Sequence, residues 1–326
     1  MSLPDSIEIS HFALRPRRAL NVKHSGNERK GFLIRWNGGF GCVQPWPELG
    51  DAPVTEQLRL LAEGKTTPLI NRALDCARMD GAARHENLNL FTGLKVPASH
   101  ATAPQGLTSD EIDSWCSQVR LQGFTTVKLK LRAERQMARS ILQQWMEADE
   151  VLRFRLDFNE TGTRPFFEDW LSQMPQAWQQ RLDFIEDPVC WSEELWTWWG
   201  QTLPVPAAVD RQGQAADKWG PVGSATWRIV KPALESGPPA GRWPLQRVVF
   251  TSYMDHALGQ SFAAWEAAQS HSVTAGLMTH HLYEEDAFFN RLAQTGPNWI
   301  SSNVLPGTGL GFDDLLNGLT WVRLAG

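Results

Sequence analysis

Three carboxylates and three lysines carry the chemistry legible in this chain. Lys130, Asp157, Glu186, Asp210 and Lys231 each close a short apolar run, at intervals of 27, 29, 24 and 21 residues. Carboxylate oxygens are the hard donors that Mg²⁺ prefers, and Mn²⁺ could substitute, with water or substrate oxygens completing the shell. In Val127-Lys128-Leu129-Lys130-Leu131 a period of two sends both lysines to one side and the apolar residues to the other. A lysine facing a barrel axis is desolvated and close to a second cation, and both effects lower its pKa toward that of a neutral base. Lys231, after Trp227-Arg228-Ile229-Val230, would approach from the opposite wall. Lysines flanking a carboxylate triad suit removal of a proton next to a carboxylate, with the enediolate stabilised on Mg²⁺. The blander alternatives are scattered surface acids and a polar edge strand. Neither accounts for one charged group per repeat.

Such a ring needs a scaffold on which strand ends converge. The 326 residues suit one (β/α) barrel, which takes about 250, plus an attachment. The first ninety or so read as an α+β module. Strand patterns at 7–12 and 31–36 precede the turn Asn37-Gly38-Gly39, a Pro/Gly-rich loop over 45–51, and helical stretches at 54–63 and 68–81. Beyond Val96, eight apolar runs alternate with amphipathic ones, at 96–101, 124–131, 152–157, 182–186, 205–210, 227–230, 248–251 and 273–277. Ser109-Asp110-Glu111 opens one intervening helix and 133–148 forms another, whereas 234–247 is too rich in Pro and Gly for a regular crossover. The expected architecture is α/β, a modified TIM barrel of (β/α)7β type over residues 95–300. An α+β capping domain over 1–94 precedes it, and a segment over 301–326 returns to that domain.

With these motifs in place, the chain resembles the muconate-lactonizing subgroup of the enolase superfamily, and within it the o-succinylbenzoate synthase family. Lys128-Leu129-Lys130 resembles the K-x-K strand, Asp157-Phe158-Asn159 the D-x-N strand, Glu186-Asp187-Pro188 the E-[DEQ]-P strand, Val209-Asp210 the third ligand and Val230-Lys231-Pro232 the opposing lysine. Thr251-Ser252 with Leu258-Gly259, and Ala275-Gly276-Leu277, resemble the seventh and eighth strands of the narrower family. The chain departs from the pattern at Gln44, where relatives often carry Glu, and at Met278, where an acid is common; both bear on substrate contacts. The resemblance implies Mg²⁺ on Asp157, Glu186 and Asp210, with Asn159 behind them. Lys130 would take the proton alpha to the carboxylate of 2-succinyl-6-hydroxy-2,4-cyclohexadiene-1-carboxylate and then help its hydroxyl leave, in menaquinone biosynthesis. Lys231 would steady the enediolate, and Lys128 would tune Lys130. Thr251, Ser252, Gly276, Leu277 and Arg29 are the implied substrate contacts, with loops 24–30 and 45–51 closing the mouth. The same ring serves N-acylamino acid racemases and dipeptide epimerases, and a catalytically silent barrel acting as a binding module is the third alternative.

Other features exclude rather than identify. A formal charge of −5 with no basic tract argues against nucleic acid. Cys42, Cys76, Cys116 and Cys190 form no C-x-x-C pair and read as reduced thiols. No run approaches the ~18 apolar residues of a membrane span, and no leader pattern opens the chain, so a cytoplasmic monomer acting on a small carboxylate is expected. His280-His281 with Glu284, Glu285 and Asp286 lacks ligand spacing and reads as a solvated segment, and Gly307-Thr308-Gly309-Leu310-Gly311 reads as a turn. Leu195, Trp198 and Trp199 fit one packed helix face.

Overall fold

The computed structural model describes residues 7–18, 20, 28–221, 226–238, 241–270, 273–292, 294–299 and 307–324. Three antiparallel strands open it: β1 (Glu8–Leu14), β2 (Arg29–Trp36) and β3 (Gly39–Val43). Asn37 and Gly38, with φ of 50° and 76°, form the two-residue turn between β2 and β3, a geometry that matches strand twist. Helices α1 (Val54–Ala62) and α2 (Pro68–His85) follow. Thr67 caps α2 by accepting from the Ile70 N–H, with Pro68 in its first turn. This helix lies so close to β3 that a Cβ at Gly39 or Gly41 would collide with its backbone at Ala77, Gly81 or Ala73. The glycines of that hairpin therefore set the helix approach as well as the turn.

The barrel alternates β4 (Ala101–Thr102), α3 (Ser109–Leu121), β5 (Thr126–Lys130), α4 (Arg135–Ala148), β6 (Arg153–Asp157), α5 (Arg164–Ser172), the short α6 (Gln176–Gln179), β7 (Leu182–Glu186), α7 (Glu193–Thr202), β8 (Ala207–Val209), α8 (Gly213–Ala216), β9 (Thr226–Val230), β10 (Val248–Phe250) and α9 (Ala257–Gln269). Its seven parallel strands lie side by side in chain order. Helix α3 starts at Ser109 as expected, and its cap is the preceding Thr108, which forms a reciprocal capping box with Glu111. Between β9 and β10 the described residues carry only a 3-10 turn at Leu245–Arg247, in line with the Pro/Gly content there.

The eighth strand, expected over 273–277, shrinks to two bridging residues. Ala275 pairs with Ser99 and Gly276 with Thr251. Two suffice because four backbone bonds stitch them to both neighbours: Ala275 N–H to Ala98 O at 2.7 Å, His100 N–H to Ala275 O at 2.8 Å, Gly276 N–H to Phe250 O at 2.9 Å and Ser252 N–H to Gly276 O at 3.0 Å. The first strand shifts correspondingly to Ala101–Thr102.

Apolar residues at alternate strand positions, Val127, Leu129, Leu156, Ile185, Val209 and Val230, belong to the main core, whereas Phe184, Ala208, Ile229 and Val249 form a separate small cluster. Their intervening placement along β7 to β10 fits a plug inside the barrel below its mouth.

Past the barrel come a short hairpin, β11 (Gln294–Thr295) with β12 (Asn298–Trp299), then α10 (Asp313–Asn317) and β13 (Val322–Arg323). Strand β13 pairs antiparallel with β1, Ile9 opposite Val322. Buried Asp80 of α2 holds this return: it accepts from Leu310 N–H at 2.6 Å, Phe40 N–H at 3.0 Å and Arg84 Nε at 2.6 Å. The 307–311 segment is thus a turn docked on the capping domain. The 280–286 segment is solvated at His281, Glu284 and Glu285, as expected, but not at its start. It begins with the 3-10 turn His280–Leu282, and His280 is buried against Gln260 of α9, because the turn packs under that helix. Among the described residues no helix is long and apolar enough to cross a membrane.

Candidate active site

The strand pairings bring the charged residues together. Lys130 lies opposite Asp157, and Asp157 opposite Glu186, in adjoining parallel strands. Asp210 and Lys231 immediately follow β8 and β9. A cavity of about 550 Å³ opens over these ends, lined by Lys128, Lys130, Asp157, Asp210 and Lys231. Glu186 is 2% exposed beneath it. The Lys128 ammonium bridges Glu186 at 2.6 Å and Asp157 at 3.1 Å. Lys231 pairs with Asp210, and Lys130 donates to the Leu20 carbonyl at 3.0 Å.

These environments drive the lysines apart. Burial pushes Lys130 down to about 8; Asp157 opposes that, while Lys128 and Lys231 add to it. Burial also opposes the charge on Lys128, but Asp157, Glu186 and Asp210 outweigh it and raise the group above its ordinary value. Lys231 follows the same logic: burial is overcome by Asp210 and then Glu186, so it too is raised. Burial thus eases the loss of the proton from Lys130, while the neighbouring carboxylates favour the charged forms of Lys128 and Lys231.

Burial, and then Asp157 and Asp210 acting against Lys128, raise the Glu186 carboxyl. Among the described residues no three His, Cys or carboxylate side chains converge closely enough to share an ion as they stand. Each ring carboxylate is drawn instead to a lysine ammonium. The donor set nonetheless fits a hard dication: three carboxylates on neighbouring strand ends, freed for coordination if Lys128 and Lys231 turn away.

Residues without an assigned role from sequence shape the surroundings. Asp187 has φ of 41°, and its two oxygens accept from the N–H groups of Asp210 at 2.9 Å and Arg211 at 3.1 Å. It thereby fixes the backbone at the third carboxylate. Its presence in the Glu186-Asp187-Pro188 motif was the available signal. Arg155, two residues before Asp157, comes from the same face of β6 and lies 3.0 Å from His100 Nδ1, with Asp183 at 3.3 Å. Burial, reinforced by Arg155 and Lys128, keeps His100 well below the ordinary imidazole range, so it faces the cavity neutral. Tyr253 joins the barrel to the capping loop by donating to Asp51 at 2.9 Å.

The remaining expected contacts divide. Asn159, Thr251, Ser252 and Gly276 line the cavity. The Asn159 N–H donates to Asp157 Oδ1 at 3.1 Å, and Ser252 Oγ lies 2.6 Å from Thr279 Oγ1. Leu277 does not reach the cavity: it is fully buried in the main core, because its side chain alternates away from Gly276. Arg29 is also displaced from its expected place. It is buried, paired through two nitrogens with Glu48 and stacked 3.7 Å over Trp46. It serves the capping domain, since a buried guanidinium takes the carboxylate nearest to it. Gln44 donates to the Met254 carbonyl at 2.9 Å, and Met278 is buried. Of the two loops expected over the mouth, 45–51 contributes Leu49 and Asp51, while residues 24–27 of the other lie outside the described residues.

Comparison with known proteins agrees with this fold. Residues 7–83 match the O-succinylbenzoate synthase N-terminal domain model. The chain is 31% identical to the o-succinylbenzoate synthase of Bdellovibrio bacteriovorus, with 98% of each covered. Solved structures share the fold: the N-succinyl Arg/Lys racemase of Bacillus cereus aligns at TM-score 0.76 and 14% identity, covering 98% of this chain and 99% of that one. The o-succinylbenzoate synthase of Thermosynechococcus elongatus BP-1, complexed with Mg in its active site, aligns at TM-score 0.62 and 19% identity, covering 86% and 94%. With a relative of this identity matched over nearly the full length, the chain belongs to the o-succinylbenzoate synthase family of carbon–oxygen lyases.

Proposed function

We propose that this chain catalyses the Mg²⁺-dependent syn-dehydration of 2-succinyl-6-hydroxy-2,4-cyclohexadiene-1-carboxylate to o-succinylbenzoate. The observation that carries this reading is the cavity that Lys130 and Lys231 share with Asp157 and Asp210, in a chain 31% identical to an o-succinylbenzoate synthase over nearly its full length. Neutral Lys130 accepts the proton alpha to the ring carboxylate. The resulting Lys130 ammonium then protonates the departing hydroxyl on the same face, and aromatisation drives the step. Lys231, on the far side of the same cavity from the K-x-K strand, brings its ammonium charge near the developing enediolate. Asp157, Glu186 and Asp210 would hold Mg²⁺, which supplies charge to stabilise the negative substrate. Mn²⁺ offers similar oxygen chemistry as a substitute.

Racemases and epimerases occur among the structural neighbours. A reaction that exchanges a proton between two faces needs both lysines to act as bases, however, and the full-length relative at 31% identity is an o-succinylbenzoate synthase. Lys231→Arg, which keeps a cation but removes a workable base, is therefore expected to retain more dehydratase activity than Lys130→Arg. Equal losses in steady-state turnover of the diene would count against the one-base assignment.

A pH dependence follows from the same charges. The base works when neutral, so kcat/KM is expected to rise with pH to a midpoint no higher than about 8, because a bound dication lowers Lys130 further. A rate that falls between pH 6 and 9 at constant Mg²⁺ would contradict the assignment.

A further inference from the structure

We infer that Arg211 binds the second, distal carboxylate of the substrate and so sets the preference for a dicarboxylate. This rests on the dehydration reading, because it takes that substrate's succinyl arm as the ligand. Among the described residues, four cationic side chains line the 550 Å³ cavity: Lys128, Lys130, Lys231 and Arg211. The first three are engaged at the reacting end. Lys128 bridges Glu186 at 2.6 Å and Asp157 at 3.1 Å, Lys130 donates to Leu20 O at 3.0 Å, and Lys231 holds Asp210. Arg211 is held only loosely. Its guanidinium lies 3.4 Å from Asn159 Oδ1 and 3.7 Å from Glu160, and its side chain is 28% exposed. Its root, in contrast, is rigid, because buried Asp187 accepts its backbone N–H at 3.1 Å.

A fixed root and a weakly engaged planar fork suit a ligand carboxylate, which can form two parallel charge-assisted bonds. Position agrees with that role. Arg211 follows Asp210 on the loop beyond β8, so it lies outward of the ring at which the reacting carboxylate must sit. A succinyl arm extending from a ring held there carries its terminal carboxylate toward the rim. Without a cation that carboxylate would lose hydration inside the cavity uncompensated. With Arg211 it takes the place of the distant Glu160, exchanging one carboxylate partner for another. Arg17 and Arg18 line a smaller cavity of about 120 Å³ beside Lys130, but each already has a carboxylate partner at 3.3 Å, and Arg17 Nε also donates to Tyr283 O at 2.6 Å.

The test measures binding, in the presence of Mg²⁺, of o-succinylbenzoate and of its distal methyl ester to the full-length protein by calorimetry. Arg211→Gln is expected to weaken binding of the acid by about 10- to 100-fold and leave that of the ester nearly unchanged. Arg211→Lys should recover part of the loss, and Arg18→Gln should behave as wild type. Equal weakening of acid and ester in Arg211→Gln would overturn the inference and leave Arg211 a support for the Asn159–Glu160 loop. An acid-specific loss in Arg18→Gln, with none in Arg211→Gln, would place the arm in the smaller cavity and overturn it as well. Absence of acid-over-ester preference in the wild type would equally refute it. Turnover of the diene by wild-type protein is scored separately and bears only on the dehydration reading.

Discussion

Lys130→Ala is expected to reduce kcat by about 10⁴-fold or more while KM changes little. The lysine acts twice in one turnover, as base and then as acid, so its loss removes two proton transfers from one face. It contributes little to ground-state binding, because a neutral amine offers the substrate carboxylate far less than Lys128 or Lys231 does. The variant should fold: Asp157 keeps Lys128 at 3.1 Å, and the group removed is one that burial already disfavours as a charge. Circular dichroism and thermal unfolding check the fold, and steady-state kinetics on the diene supply kcat and KM. Near-normal turnover would refute the assignment of the base.

Removal of the metal should be as severe and, in the wild type, reversible. Excess EDTA is expected to abolish turnover and Mg²⁺ to restore it, whereas Asp210→Ala stays inactive at any Mg²⁺ concentration compatible with solubility. The backbone at position 210 should survive the substitution, because its N–H is held by Asp187 and not by its own side chain. What the variant loses is one of three oxygen donors together with the partner that keeps Lys231 charged; burial, the largest influence on that lysine, then acts with less opposition. Full activity in excess EDTA would remove the metal from the mechanism.

Much of this site was legible because strand periodicity acts locally. The alternation in Val127-Lys128-Leu129-Lys130-Leu131 needs no tertiary information to divide its two faces, and the apolar face indeed joins the main core. The recurrence of charge at successive strand ends likewise followed from the repeat. What escaped depends on groups far apart in sequence. Lys128 neutralises Glu186 across 58 residues, so the three acids are less exposed to one another than their spacing alone suggests. Arg29 was expected at the mouth because it falls in the 24–30 stretch read as a closing loop, but Glu48, 19 residues later, claims it inside the capping domain. Asp187 acts through a left-handed backbone that its residue type does not announce. The last strand was overextended because apolar content at 273–277 marks burial, while the two bridges that close the barrel are set by the neighbouring backbones.

The most direct test incubates the purified protein with Mg²⁺ and 2-succinyl-6-hydroxy-2,4-cyclohexadiene-1-carboxylate in deuterated water, following both aromatic product and deuterium incorporation by NMR. Rapid formation of o-succinylbenzoate is expected, with no comparable alpha-proton exchange in N-acylamino acids or dipeptides supplied in parallel. A protein that leaves the diene untouched yet exchanges those alpha protons would contradict the one-base dehydration and make both lysines proton carriers.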